Sequence, residues 1–320
     1  MIKVIVENFV VGGIILAFIS LNVMFMIWLE RRLCARFQSR LGPNRVGFQG
    51  CLQPVADMIK LLAKENIVPK DADKLVHLLS PVIVFTSAFM AYLCLPFGPR
   101  LIALDLNLGI LYIFSVTILG VTGILMAGWG SNNKYSLLGG MRSVAQIVSY
   151  EIPLVLSILG VVMLASTLRI TGIVEAQKGF FGWFIFRQPF AFIIYIISAT
   201  AELNRVPFDI PEAESELTAG YHTEYSGMRF AIFFLAEYAN MFMVSGIAVS
   251  LFLGGWQGFG FLPPLAWFFL KCYGIVFLLI WFRWTFPRLR VDQLMNLGWK
   301  VLTPLAFLNI LITGIWIFIR

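Results

Sequence analysis

Stretches of about twenty consecutive apolar residues recur along this chain, and they constrain its fold more than any other feature. At 1.5 Å per residue, a helix of about twenty residues crosses the ~30 Å hydrocarbon core of a bilayer. Such runs lie at 5–29, 78–97, 109–129, 144–166, 183–201, 230–253, 264–282 and 302–319. The sequence therefore predicts an all-α integral membrane protein with about eight transmembrane helices, which together form a single polytopic membrane domain over residues 1–320.

Composition agrees with a lipid environment. Hydrophobic residues make up 59% of the chain and charged residues 13%, whereas soluble domains average about 25% charged residues. A net charge of +7 would suggest nucleic-acid binding in a soluble protein. Here the basic residues flank the apolar runs, where they act as topology signals. We therefore expect the lipid bilayer as a partner and no nucleic acid.

The basic residues also predict an orientation. Of the 24 Lys and Arg residues, 17 fall in the odd-numbered loops. Cytoplasmic loops carry the excess of basic residues. We therefore expect the odd loops to face the cytoplasm or matrix, and both termini to face the periplasmic or outer side. The membrane would be the bacterial plasma membrane or its organellar equivalent.

The first loop, residues 31–77, is basic and contains an amphipathic segment. Within 49–64, apolar residues recur at helical spacing opposite a polar face that includes Asp57 and Lys60. The apolar stripe consists of Leu52, Val55, Ile59 and Leu62. This pattern favours a helix lying in the membrane interface; a plain surface helix is the alternative.

The fifth loop, residues 203–228, has the opposite charge. It contains five acidic residues against a single basic residue, Arg205. The acidic residues are Asp209, Glu212, Glu214, Glu216 and Glu224. This loop would pair with the basic first loop or with a partner subunit, unless both are simply solvated charge runs.

Three carboxylates lie within or at the ends of apolar runs: Glu151, Glu202 and Glu237. A charge at mid-bilayer costs at least ~2.5 kcal/mol, so intramembrane acids usually serve a function. All three fall in the predicted cytoplasmic half, which favours a wet, inward-opening polar cavity. Tyr150 and Tyr238 adjoin two of them and Ser149 is close; these hydroxyls would extend a hydrogen-bonded relay. The alternative is that each acid satisfies polar groups of a neighbouring helix.

Metal and cofactor sites are not indicated. The chain has four cysteines without a CxxC pair and only two histidines. A zinc site or an iron–sulfur cluster normally needs four such ligands at close spacing. We therefore expect this chain to hold no cofactor.

Six motifs resemble one family in the correct order along the chain. They are ERR at 30–32, RLGPNRVG at 40–47, QPVADMIK at 53–60, GWGSNNKY at 128–135, SYE at 149–151 and NRVPFDIPEAESEL at 204–217. All six look like the quinone-chamber membrane subunit of respiratory complex I, called subunit 1 in mitochondria, and the last is very specific.

The resemblance implies a non-redox subunit of a proton-translocating NADH:quinone oxidoreductase. In the family this subunit walls a chamber for the quinone, which is the substrate. FMN and iron–sulfur clusters are then expected on partner subunits. The partners would be the peripheral-arm subunits of the quinone site and other membrane-arm subunits.

The matching positions imply three sets of site residues. Proton relay is implied for Glu151, Glu202 and Glu237. Coupling of quinone chemistry to pumping is implied for Arg205, Asp209, Glu212, Glu214, Glu216 and Glu224. The quinone chamber is implied for Arg36, Arg45, Asp57 and Lys60, to which the stripe adds Leu52, Val55 and Ile59 as a surface for the isoprenoid tail.

One departure and three rival functions remain. Some family members carry a further acid in the third span, where this chain has Ser115 and Thr117; a relay there needs a hydroxyl or water.

The rivals are a membrane subunit of a hydrogenase or formate-linked complex without quinone, a secondary transporter, and a structural anchor. The sequence shows no internal repeat, which counts against a transporter.

Overall fold

The computed structural model describes residues 2–210 and 218–319, and within these ranges the chain is helical with no β-sheet. In chain order the helices are α1 Ile2–Phe37, α2 Gln53–Ala63, α3 Lys74–Tyr92, α4 Gly109–Gly130, α5 Lys134–Ala165, α6 Ile170–Ala176, α7 Phe184–Arg187, α8 Pro189–Glu202, α9 Gly227–Phe252, α10 Pro264–Thr285, α11 Val291–Asn296 and α12 Thr303–Ile319. A π-helical segment, Leu297–Leu302, joins α11 to α12. The all-α prediction is confirmed.

Seven helical segments of the described chain are long and apolar enough to cross a membrane, and α8 is a shorter apolar helix. The predicted fifth run, 183–201, is wrong as one continuous helix. It is divided at Gln188, whose φ of −135° and ψ of 56° are not helical. Pro189 opens α8 because its missing N–H costs nothing in a first turn.

Other predicted boundaries were too narrow. Helix α1 continues to Phe37, so the first loop begins at Gln38, seven residues beyond Arg31. Helix α5 begins at Lys134, ten residues before the predicted start. Hydropathy marks only the part of a helix that lipid would contact, and both helices extend past that part into polar sequence.

Small residues allow the closest helix packing. A Cβ added to Gly123 of α4 would lie 2.6 Å from Val84 of α3, and one added to Gly120 would lie 2.7 Å from the Ser87 hydroxyl. Membrane helices approach each other through such small residues because lipid supplies no hydrophobic drive for association.

The predicted amphipathic helix is present, somewhat shorter than expected, as α2. Pro54 lies in its first turn, as predicted. Arg31 of α1 forms an ion pair with Asp57, which fixes the polar face of α2 against the end of α1. Leu52, Ile59 and Leu62 remain exposed, so the apolar stripe is available to lipid or another apolar partner.

A buried lysine lies at the C-terminal end of α9. The Lys271 ammonium, on α10, donates to the carbonyls of Leu253, Gly255 and Gln257 at 2.6 to 3.0 Å. It also lies 4.2 Å from the centre of the Trp183 ring. Three carbonyls and an aromatic face replace the water that the charge gives up.

At the same end of the helices as Lys271, a charged contact joins two loops. Arg169 and Thr171 both donate to the Asp105 carboxylate. The Arg169 hydrogen bond, opposed by partial burial and assisted by Thr171, holds the pKa of Asp105 below its ordinary value. This contact ties the α3–α4 loop to the start of α6.

Candidate functional site

A carboxylate near the end of α1 forms the centre of a buried charge cluster. Glu30 is 3% exposed. Its Oε1 accepts from Arg205 at 2.8 Å and also pairs with Arg283 of α10. Because an unpaired buried charge is very costly, the two guanidinium groups are what allow Glu30 to remain ionised inside the protein.

Arg205 links Glu30 to a second acid. The Arg205 Nε lies 2.9 Å from Glu237 Oε1, and its guanidinium carbon lies 4.6 Å from the centre of the Tyr238 ring. Burial by itself would lower the pKa of Arg205, but Glu237 and Glu30 outweigh burial and raise it well above its ordinary value. Arg205 therefore stays cationic between two carboxylates.

A large cavity lies on the Glu30 side of this cluster. Its volume is about 610 Å³, within the range of small-molecule sites. Its polar lining includes Glu30, Arg31, Arg40, Arg283 and Tyr238. The Leu41-Gly42-Pro43 turn, Cys34 and Trp284 complete the lining. A ligand there would meet guanidinium donors beside aromatic and apolar surface.

A small cavity lies on the Glu237 side. It measures about 70 Å³ and is lined by both Glu202 and Glu237, together with Asn240 and Thr117. That volume leaves room for a few water molecules. The structure thus brings together two of the three predicted relay acids. The Thr117 hydroxyl, which donates to Phe114 O at 3.0 Å, is the polar group that α4 contributes.

The third predicted acid, Glu151, lies near the middle of α5 and interacts electrostatically with Glu202. Its neighbours do not extend a relay as expected. The Tyr150 hydroxyl donates to Leu294 O at 2.8 Å, and the Ser149 hydroxyl donates to Ala145 O at 2.6 Å. Both hydroxyl protons are therefore engaged by backbone carbonyls.

The described parts of the acidic loop are anchored to α5 and to Arg288, which lies between α10 and α11. The Gln146 amide donates to Ala201 O at 2.8 Å and to Phe208 O at 2.7 Å. Further along, Asn133 donates to the Glu224 carboxylate at 2.6 Å, and Arg288 donates to the backbone carbonyl of Asp209. Three predicted coupling residues, Glu212, Glu214 and Glu216, lie outside the described residues.

The predicted chamber residues occupy a different surface from the large cavity. Arg36, Arg45 and Lys60 are exposed, as are Leu52 and Ile59, while Val55 and Asp57 are half-buried. These seven are not among the residues that line the 610 Å³ cavity. Their connection to it runs through Arg31, which lines the cavity and pairs with Asp57. Their role in quinone binding stays a prediction.

Sequence reasoning missed four functional candidates: Glu30, Arg283, Gln146 and Lys271. The ERR motif placed Glu30 beside two basic residues, a pattern typical of a span end anchored at the inner face. Lys271 carried the clearer signal, because a lysine inside an apolar run is as costly as a carboxylate there.

No metal site is indicated by the described residues, in which no group of three or more His, Cys, Asp or Glu residues is arranged to hold a metal ion. Cys34, Cys94 and Cys272 are buried and Cys51 is exposed, and all four are free thiols.

Comparison with known proteins identifies the family of this chain. The family model for NADH dehydrogenase matches residues 11–314. An NADH-quinone oxidoreductase H-type subunit of Syntrophobacter fumaroxidans is 50% identical over 313 residues, which cover 95% of this chain and 94% of the relative. The H-type subunit of Bacteroides thetaiotaomicron is 48% identical, covering 96% and 90%. That of Dehalococcoides mccartyi strain CBDB1 is 54% identical, covering 96% and 86%. The chain therefore belongs to the NADH dehydrogenase family, the family of the H-type membrane subunit of NADH-quinone oxidoreductase.

Proposed function

We propose that this chain forms the quinone-binding chamber of an NADH:quinone oxidoreductase and couples quinone reduction to proton translocation. The observation that carries the proposal is the position of Arg205. It pairs with Glu30, which lines the large cavity, and with Glu237, which lines the small cavity. A single buried cation thus joins a ligand-sized space to a pair of proton-titrating groups.

The lining of the large cavity suits a quinone. Quinone carbonyl oxygens accept hydrogen bonds, and Arg31, Arg40 and Arg283 present guanidinium donors there. The exposed stripe on α2 offers an apolar path for the isoprenoid tail. We place Arg36, Arg45, Asp57 and Lys60 at the entrance beside that stripe.

Coupling would work because Glu30 and Glu237 compete for the same cation, Arg205. When quinone reduction changes the charge in the large cavity, the attraction of Glu30 for Arg205 changes with it. A stronger Glu30–Arg205 pair weakens the hold of Arg205 on Glu237, which then takes up a proton. Glu237 exchanges that proton with Glu202 through water in the small cavity, and Glu151 continues the relay.

The acidic loop would report the quinone state to neighbouring subunits. Asp209 and Glu224 lie at its two described ends, and Glu212, Glu214 and Glu216 lie between them along the chain. We assign the subunit no redox centre of its own. FMN and iron–sulfur clusters belong, in this proposal, to peripheral-arm partners, and further membrane-arm subunits complete the proton path.

Purification of the complex in mild detergent tests the proposal against its main rival. We expect copurified peripheral and membrane-arm subunits, bound FMN and iron–sulfur clusters, and NADH:quinone reductase activity. A hydrogenase or formate-linked complex without quinone reductase activity would contradict the proposal.

The tail path yields a prediction for α2. Val55→Trp adds an indole to the stripe and should impair reduction of long-tailed quinones more than of short-tailed analogues. The measurement is the ratio of the two kcat/KM values. Ala56→Trp, one residue along on exposed surface, is the matched control and should leave the ratio unchanged. Equal loss with both quinones in the Val55 variant would mean that α2 does not line the path.

The proposed orientation yields a second prediction. In this orientation the chain is one polytopic unit, with loops 31–77 and 203–228 on the inner face and both termini outside. With the exposed Cys51 replaced by Ser, a cysteine at Glu214→Cys should resist a membrane-impermeant thiol reagent added to intact cells. A cysteine at Lys178→Cys, on the opposite end of the helices, should react. The reverse labelling pattern would overturn the orientation.

A further inference from the structure

A histidine near the start of α3 lies at the meeting point of four segments. His77 is fully buried. The Arg229 NH1, on the first turn of α9, lies 2.9 Å from His77 Nδ1. Arg can only donate hydrogen bonds, so Nδ1 must be the acceptor. The ring is therefore neutral and carries its proton on Nε2.

The segment before α9 packs against this ring. Tyr225 stacks on His77 with the ring centres 4.0 Å apart and the planes 11° from parallel. The neighbouring Glu224 carboxylate accepts from Asn133 at the start of α5. The two contacts fasten residues 224 and 225, near the end of the acidic loop, to α3 and α5.

The same segment is also tied to the first loop. The Met228 N–H donates to Asn66 Oδ1 at 3.1 Å, and the Ile67 N–H donates to Ser226 Oγ at 2.9 Å. Gly227 has a φ of +57°, and a Cβ there would lie 2.6 Å from Asn66 Oδ1. Residues 218–228 thus hold one closed arrangement, in which His77 supplies the acceptor for Arg229.

The charged and titratable groups facing His77 are few. Arg229 faces it from α9, and Glu224 and Tyr225 from the preceding segment. Burial raises the pKa of Tyr225, so the phenol stays neutral near pH 7. The end of α4 contributes the uncharged Gly130 beside the His77 backbone.

We infer that His77 is a positioning residue for segment 218–228, and that protonation of its ring opens this segment. A protonated ring carries N–H on both nitrogens, so Nδ1–H would point at an Arg229 N–H, and two donors cannot bond. The stacked Tyr225 ring holds the plane of the imidazole, and a half-turn flip within that plane would put a C–H group where Arg229 now finds its acceptor. Arg229 must then move, and the segment loses one of the contacts that hold it closed.

The sign of the pH dependence follows from proton binding. The closed state requires neutral His77, whereas an open state leaves the ring with its ordinary pKa near 6.5. Closure is therefore complete at high pH and is lost as the pH falls below about 6.5. Between pH 7.5 and 5.5 the ratio of open to closed segment should rise about tenfold.

Hydrogen–deuterium exchange of the intact complex tests this inference. After correction for intrinsic exchange rates, peptides covering 218–228 should exchange about tenfold faster at pH 5.5 than at pH 7.5. His77→Gln keeps an acceptor for Arg229 but does not titrate, so its exchange should be independent of pH. His222→Gln is the comparison variant, since His222 is the other histidine of the chain and lies within the segment: exchange should stay dependent on pH in His222→Gln and become independent of pH in His77→Gln.

A second variant covers the case in which His77→Gln fails to fold. Arg229→Gln removes the donor and should leave the segment open at both pH values. A wild-type segment that exchanges equally at both pH values, or a His77→Gln variant that responds like the wild type, would overturn the inference.

The consequence for catalysis rests on the proposed function. The quinone reductase activity that is lost as the pH is lowered should be smaller in His77→Gln than in the wild type. Exchange measures the segment directly. A pH-dependent segment with an unchanged activity profile would contradict the link to coupling and leave the positioning role intact.

Discussion

Arg205→Met is expected to cause the largest loss of any single substitution in this chain. It leaves Glu30 and Glu237 without their shared cation, and removing one partner of a buried ion pair typically costs about 3–5 kcal/mol. We expect little assembled complex, measured as subunit content of the membrane. Arg205→Lys keeps the charge but offers a single ammonium in place of a two-sided guanidinium, so content should recover more than quinone reductase activity.

Two further variants separate charge balance from general damage. Glu237→Gln added to Arg205→Met removes a carboxylate that has lost Arg205, while Glu30 keeps Arg283, and should restore part of the content. Arg290→Met removes an exposed arginine that lies 3.9 Å from Asp292, and it should leave content unchanged because exposed pairs contribute little. Normal content and activity in Arg205→Met would show that the buried cluster is dispensable.

The second large effect is expected for two substitutions, Glu202→Gln and Glu237→Gln. They should lower activity and leave assembly nearly unchanged. The amide keeps the shape and hydrogen-bonding capacity of the side chain but removes its titration. Removing a proton-transfer group typically lowers a rate by about 10²-fold or more. We therefore expect near-normal complex content and a large loss of quinone reduction, proton pumping, or both.

A structural acid would behave differently. Glu→Gln would then spare activity, because a buried charge is the expensive species, and Glu→Ala would be the damaging change, through assembly. Glu237→Gln also leaves Arg205 with Glu30 as its remaining ion-pair partner in the cluster, so its content should fall below that of Glu202→Gln. Glu65→Gln, an exposed acid of the first loop, is the matched control for both.

How far the sequence predicted this arrangement depends on the kind of information each feature needs. Apolar runs predicted the spanning helices, since their signal is local and their length is set by the bilayer. The break at Gln188 was missed because hydropathy averaged over a span does not register the local interruption Arg187-Gln188-Pro189. The polar extension of α5 to Lys134 was missed because hydropathy does not report helix outside lipid.

The charge cluster needed tertiary information. Glu30, Arg205, Glu237 and Arg283 come from three helices and a loop, separated by up to 253 residues. Sequence reasoning identified Glu237 and Arg205 separately, from depth and from a motif, but no spacing rule pairs them. Glu30 was noted only as part of the ERR motif, because basic residues at a span end normally serve as a membrane anchor and gave no reason to single out the acid beside them.

The proposed relay was only partly anticipated for the same reason. Glu202 and Glu237 were expected in one cavity, and they line one. Tyr150 and Ser149 were expected to extend the relay, but their hydroxyls bond to backbone carbonyls. A sequence shows that a hydroxyl is near an acid; it does not show which acceptor the hydroxyl chooses.

The most direct test of the central claim is the number of protons translocated per quinone reduced, measured in proteoliposomes containing the complex. Glu202→Gln is the informative variant, since Glu202 lines the small cavity but is not among the ion-pair partners of Arg205. If the acids of this chain couple quinone chemistry to pumping, its residual turnover should translocate fewer protons per quinone than the wild type, or none. A wild-type ratio at wild-type turnover would contradict the account.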